Sequence, residues 1–407
     1  MTVVTMNVNS ITFGILLILC FGFTHSATKA GCTLNVLGNA NEKYMPVMLN
    51  NKSHEYTLIV PHQGQIHLKR GEGITFLCPE RNFLVPTHSN YTYATCVQGT
   101  NLKIFRQTYD FGDILCSKPI RGQVQRTKER CANSRGVIIN IGYRVTPRYF
   151  KTLITVCYND NEGISLYSEH TIHGEEVAYT SRFKERPSFS VDGLPKDISA
   201  NVAYKQAYQK STFSSLLGSS GEASVYINSK SFLSRGHLSP DADFLFASSQ
   251  LTSYFYVNTC PQWQNINAGN WVRIESAVRR AADKYQRDFT IITGTHDVLE
   301  LPNVSGDPVK LYLVSKRKLP VPKFVWKIMY DENEGTGIAF VSLNNPFAEG
   351  ITDEDVLCDD VCDRYGWGSK FYSDISKGYI YCCDVNQLRE VIDTIPRIKV
   401  NGILRNA

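Results

Sequence analysis

The segment Ser234-Arg235-Gly236-His237-Leu238-Ser239-Pro240-Asp241-Ala242-Asp243 sets a histidine behind a glycine. Thirty residues after His237, Asn267-Ala268-Gly269-Asn270-Trp271 opens a predicted helix that carries Glu275 and Arg279. These residue types suit hydrolysis of a phosphodiester. That reaction needs a water deprotonated, charge on the non-bridging oxygens neutralised and the leaving alkoxide stabilised. Neutral imidazole, with an ordinary pKa of ~6.5, can take the proton. Asn267 offers one neutral oxygen to a hard cation, and magnesium keeps several of its own waters, so one protein oxygen can suffice. Glu275 and Arg279 stand four apart on one helix face. The first can orient the water around an ion and the second can contact phosphate. Each residue has a plainer reading: a packed histidine, an N-cap asparagine, a surface ion pair worth under about 1 kcal/mol. Together they favour metal-assisted phosphodiester hydrolysis. Asp241 and Asp243 read as complements to a helix N-terminus rather than as metal ligands. The chain has no phosphate-cradling Gly-rich loop, zincin motif or serine-nucleophile elbow.

Such residues need a scaffold. From about residue 165 the pattern is mixed helix and strand. Helices are predicted from Pro240 to about Ser253, from Asn267 to about Arg287 and over Val385 to Ile395. In the second, Trp271, Ile274, Val278, Ala281 and Tyr285 form one apolar stripe. Strands are predicted over 289–293, 309–314, 323–329 and 338–343, with Glu334-Gly335-Thr336-Gly337 turning between the last two. Residues 32 to about 160 read as β-rich, with β-branched runs at 56–60, 73–78, 136–141 and 151–157. The expected class is α+β: residues 1–26 a signal peptide, 27–160 a cysteine-containing β-rich domain, 161–407 the domain with the chemistry.

Composition sets the setting. A net charge of +5 permits a polyanionic partner without requiring one. The first 26 residues hold no Asp, Glu, Lys or Arg, and Ile11 to Phe23 is apolar, so a secretory signal is expected. No later stretch reaches the ~18 apolar residues of a membrane span, and no stable membrane association is expected. Of the 12 cysteines, Cys20 leaves with the signal, six lie early (Cys32, Cys78, Cys96, Cys116, Cys131, Cys157) and four late (Cys358, Cys362, Cys382, Cys383). Three early and two late disulfides would leave Cys260 over. Pairing within the early group stays open. Adjacent Cys382 and Cys383 are expected to reach back to Cys358 and Cys362; a zinc site is the rival that an oxidising compartment disfavours. Sequons at Asn51, Asn90 and Asn303 agree with export.

The same motifs resemble the DNA/RNA non-specific endonuclease family, of ββα-metal finger fold. Its signature is Asp-Arg-Gly-His, then a metal asparagine in an Asn-x-Gly-x-Trp context. Arg235-Gly236-His237 and Asn267-Ala268-Gly269-Asn270-Trp271 match these, Asn258-Thr259-Cys260-Pro261-Gln262 is similar to a segment between them, and the likeness spans roughly residues 165 to 400. It is greatest to the secreted arthropod branch of digestive and salivary nucleases. The resemblance implies His237 as general base, Asn267 as the one direct protein ligand of Mg2+ (Mn2+ an alternative ion), and Glu275 holding the ion's waters. It implies Arg279 in the catalytic group, Arg235 and Asn258 on the substrate, and an upstream arginine stabilising the transition state: Arg186, with Arg182 second. Ser234 departs from the family's aspartate and can only hydrogen-bond; activity is expected to survive. The implied protein is a secreted nuclease of DNA and/or RNA with little sequence specificity. It binds through phosphates, with cleavage fading below pH ~6.5. The alternatives are a catalytically decayed nucleic-acid-binding or host-interaction protein, and a nuclease preferring double-stranded RNA.

Overall fold

The computed structural model describes residues 31–38, 41–52, 55–79, 82–87, 89–181 and 186–406. The expected signal peptide and Arg182 lie outside them.

A nine-stranded, mostly antiparallel sheet organises the chain. Its path runs Ile380–Cys383, Thr336–Leu343, Pro322–Asp331, Phe289–Val298, Ile164–Ile172, Tyr149–Asn159, Gly136–Thr146 and Gln123–Cys131. Gly402–Ile403 adds a short parallel pairing to Thr336 and Gly337. The central strands read as near-continuous apolar runs because both faces are covered. Alternate side chains go to opposite layers. Phe289, Ile291, Met329, Ile338 and Phe340 pack with Ile274, Val278, Ala281 and Ala282 of the helix Val272–Tyr285. Ile292, Trp326, Ile328, Ala339 and Val341 pack with Val385, Leu388 and Ile392 around the tail helix Val385–Val391.

Beside this sheet, Leu233–His237 pairs antiparallel with Thr259–Trp263, setting Gly236 opposite Cys260. The second strand runs through a short helix, Gln264–Ile266, and the turn Asn267–Trp271 into Val272–Tyr285. Strand, strand and helix therefore follow one another, as the ββα expectation requires. The helix predicted from Pro240 to Ser253 is instead a single turn, Asp241–Asp243, and a six-residue helix, Ala247–Thr252.

Towards the N-terminus a six-stranded sheet of residues within 47–110 and the pair Cys32–Asn35 with Gln65–Leu68 enclose their own core. The boundary expected at residue 160 needs correction. Strands from Gln123 onward hydrogen-bond into the nine-stranded sheet, and the N-terminal core runs to Ile120, with Tyr143, Val145, Tyr149 and Phe246 packing into it from beyond. A β-rich sequence reports strands but not which sheet they join.

The five disulfides are Cys32–Cys96, Cys78–Cys116, Cys131–Cys157, Cys358–Cys383 and Cys362–Cys382. Cys382 and Cys383 do reach back as expected. The Asp360, Cys362 and Cys382 grouping holds no free thiolate, because its two sulfurs bond each other. Cys260 is free and fully buried, and burial pushes its thiol up to about 12. Iodoacetamide at pH 8 should therefore leave Cys260 unlabelled in native protein and alkylate it in urea without reductant. Peptide mapping reads both; labelling of the native chain would contradict the buried position.

Candidate active site

His237 closes the first hairpin strand. A Cβ on Gly236 would lie 2.4 Å from Gln262 Oε1 and 2.8 Å from Gln262 Cβ, so only glycine lets the two strands meet at this register. The His237 ring sits 5.0 Å from Phe189 and 4.9 Å, edge-on, from Tyr254. Burial lowers its pKa to about 4; the negative charge of Asp241 opposes this and the positive charge of Arg186 adds to it. Nε2 is buried without a hydrogen-bond partner. Tyr254 donates its hydroxyl to Asp241 Oδ2 at 2.6 Å, so Asp241 serves the histidine's surroundings rather than a helix end.

Asn267 is not an N-cap. Its φ and ψ of −56° and −46° are already helical, and the turn it begins is wider than an α-turn, with Gly269 leaving helical angles at −99° and −119°. A Cβ on Gly269 would meet the Lys377 carbonyl at 2.7 Å. Asn270 donates to the Phe371 and Gly378 carbonyls at 2.6 and 2.8 Å, which ties the turn to the 371–378 segment. Asn267 Nδ2 donates to Ser234 Oγ at 3.1 Å, and that hydroxyl donates to the Gln262 carbonyl at 2.9 Å. Ser234 thus braces the asparagine. With Nδ2 engaged, Oδ1 is left with no hydrogen bond among the described residues.

Arg235 lies among three aromatic rings, Phe189, Tyr204 and Tyr256, at 5.7, 5.2 and 5.5 Å, and donates Nε to Tyr256 Oη at 3.1 Å. Arg186 is exposed on the histidine's side, its charge felt by both His237 and Tyr254. Asn258 must be reassigned. It is fully buried; its amide donates to the Ser239 and Ser253 carbonyls at 2.8 and 3.0 Å, and its oxygen accepts from Ser239 N at 3.0 Å. With every polar atom spent on backbone, it shapes the loop after His237 and cannot reach substrate.

The helix brings Glu275 and Arg279 to one side, but they do not pair with each other. Arg279 Nη1 bonds Asp243 Oδ1 at 2.7 Å, and His170 Nε2 meets Asp243 Oδ2 at 2.9 Å. Burial alone would raise Asp243, yet the hydrogen bond from His170 and the charge of Arg279 hold it at about 2. Burial lowers the pKa of His170, which donates Nε2–H as neutral imidazole. Glu275 has no hydrogen bond or ion pair among the described residues, and burial raises it to about 7 against the pull of Lys327. Lys327 is 1% exposed, its ammonium 2.6 Å from Thr293 Oγ1 and 5.7 Å from the Trp271 ring centre.

His170, Asp243 and Lys327 were not assigned to the site from sequence. Lys327 did carry a signal, a lone charge inside the apolar run Phe324-Val325-Trp326-Lys327-Ile328-Met329. Asp243, read as a helix complement, is instead the buried partner of the Arg279 guanidinium and the neutral His170 imidazole.

Comparison with known proteins shows the family. A model of the DNA/RNA non-specific endonuclease family matches residues 135–388. The salivary endonuclease of Lutzomyia longipalpis is 30% identical over 371 residues, 90% of this chain and 84% of that protein. Salivary protein Tsal1 of Glossina morsitans morsitans is 25% identical over 397 residues, 93% and 95% of the two chains. The salivary endonuclease of Culex quinquefasciatus is 26% identical over 350 residues, 83% and 82%. The chain belongs to the DNA/RNA non-specific endonuclease family. Within that family its likeness is to the arthropod salivary members.

Asp243→Asn should lower stability by about 3–5 kcal/mol, because Arg279 loses its buried counter-charge. In the wild type the stabilisation from a carboxyl depressed to about 2 is fully present above its unfolded value near 3.8. It is lost as pH falls through about 2. Urea titrations from pH 7 to pH 2 should show a flatter acid limb for the variant; parallel curves would contradict the depressed carboxyl.

Proposed function

We propose that the chain is a secreted, divalent-metal-dependent endonuclease that hydrolyses phosphodiesters of DNA and/or RNA with little base specificity. One observation carries the reading: on the ββα unit Asn267 Oδ1, the Glu275 carboxylate and buried His237 Nε2, groups whose chemistry suits a cation and a proton acceptor, have no hydrogen-bond partner among the described residues. A buried polar atom left unpartnered is costly, so His237 Nε2 favours a ligand or reactant that uses it. A neutral oxygen and a nearby carboxylate form the oxygen donor set that suits Mg2+, or Mn2+. Asn267 would hold the ion directly and Glu275 would orient its hydration shell. When bound, the ion would neutralise charge on the phosphate and the leaving oxygen.

The protein's own groups supply the rest. His237, kept neutral by its dry setting, accepts the proton of the attacking water at Nε2, the atom with no competing partner. Arg186, exposed beside it, places positive charge against the phosphate oxygens. Arg235 is held by its aromatic surroundings for a phosphate of the strand. Arg279, occupied by Asp243, is a positioning residue for the helix that carries Glu275. Five disulfides and the salivary relatives support secretion. No helix of the described residues is long and apolar enough to cross a membrane.

His237→Ala should reduce plasmid cleavage by about 10²–10⁴-fold, the worth of a positioned base; retention of wild-type cleavage would end the assignment. Because only neutral imidazole accepts a proton and burial sets its pKa at about 4, cleavage at saturating metal should persist to about pH 4. That acid limit lies well below the one an ordinary histidine would set. Chelator should abolish cleavage and added Mg2+ restore it. Glu275, at about 7, must lose its proton to face a cation, so the half-saturating Mg2+ concentration should climb as pH drops below about 7. A metal requirement flat between pH 8 and pH 5 would remove Glu275 from the metal's surroundings.

A further inference from the structure

We propose that a groove on the outer side of the helix Val272–Tyr285 binds the nucleic-acid strand beyond the scissile phosphate. Basic side chains would take its phosphates and an aromatic ring one unpaired base. The inference rests on the endonuclease reading above. The groove has a volume of about 770 Å³ and begins at Ala268 and Gly269, the residues directly after Asn267. That volume falls within the about 300–1,000 Å³ of pockets that enclose small-molecule-sized groups such as a nucleotide.

Its lining is chemically one-sided. Arg273, Arg280 and Lys377 are exposed, and none has a carboxylate partner among the described residues. Asp374 is the opposing charge in the lining, and one of its oxygens already accepts from Ser376 at 2.7 Å. Phe371 is 42% exposed, a large apolar ring at the surface. The Arg273 guanidinium lies 3.9 Å from its centre. Tyr372 beside it feels the charge of both Arg280 and Arg273. Cations interleaved with an exposed ring are what a single strand needs: phosphates find charge and an unstacked base finds a π face.

Position supports the assignment. Arg273 and Arg280 stand on a different face of the helix from Glu275 and Arg279, so the groove is not the catalytic cluster seen again. The groove wall is nevertheless locked to the metal-asparagine turn. Asn270 bonds the Phe371 and Gly378 carbonyls, and Gly269 leaves no room for a Cβ against Lys377. The wall's disulfide, Cys362–Cys382, holds it to the central sheet. A strand leaving Asn267 along this turn would meet the three cations without any movement of the backbone.

The test is binding, read apart from cleavage. Full-length wild type, R273A/R280A and F371A are compared by fluorescence anisotropy with a short fluorescein-labelled single-stranded DNA and its duplex, in chelator across a salt series. All three altered residues are exposed, and circular dichroism checks their folding. R273A/R280A should bind the single strand about tenfold more weakly, with a log–log salt slope shallower by about 1.4 for two lost phosphate contacts. F371A should weaken the single strand more than the duplex, since only an unpaired base can stack. Unchanged affinity and slope in R273A/R280A would overturn the groove. Equal losses on both substrates in F371A would overturn the stacking base. Wild-type protein that binds but never cuts with Mg2+ present would overturn the endonuclease reading and leave the groove standing.

Discussion

The carboxylate of Asp243 is the point on which the site's geometry turns. It lies on the turn after His237, takes Arg279 from the helix on one oxygen and His170 from the central sheet on the other. Three elements distant in sequence are thereby fixed against each other. Burying a carboxylate costs several kcal/mol unless charge and hydrogen bonds replace the lost water, and both are supplied here. The contrast with Glu275 follows from the same field. Asp243 has two partners and is held at about 2, whereas Glu275 has none and is raised to about 7. Burial raises Glu275, while at Asp243 the partners outweigh burial, the arrangement that separates structural from reactive acids.

The histidine is set by a different device. Phe189, Tyr204, Tyr254 and Tyr256 form a connected aromatic wall around His237 and Arg235. The wall removes water from the imidazole and gives the guanidinium ring faces to lie on. Dryness keeps the base neutral, and the same rings keep a cation within reach of a polyanion.

Much of this was legible in the sequence, and what was not has identifiable causes. His237, Asn267, Glu275 and Arg279 lie on one continuous hairpin-to-helix unit, so spacing alone relates them. The apolar stripe of the helix is a periodic signal and the central strands are continuous apolar runs, and both emerged near the expected residues. Asn258 was misjudged because a motif position does not reveal burial; a polar residue there satisfies the backbone. The helical reading of Asn267 as a cap failed because a widened turn has no distinctive composition. His170 and Lys327 were missed because they reach the site across the sheet, through pairings such as Ile291 with Met329 that only register defines. The domain boundary moved for the same reason: strand content is local, sheet membership is not.

The disulfide wiring has a mechanical consequence. Two bridges close loops within residues 32–116 and three within 131–383, and none crosses between the groups. What joins the N-terminal core to the large sheet is noncovalent. Glu176 accepts from the Gln63 and Gly64 amides, Tyr149 donates to the Tyr56 carbonyl, and Ser181 donates to Glu42. The chain is thus two cinched bodies with an unlaced seam. No disulfide crosses it, so the seam rests on these hydrogen bonds and on Tyr143, Val145, Tyr149 and Phe246, which pack into the N-terminal core from the other body.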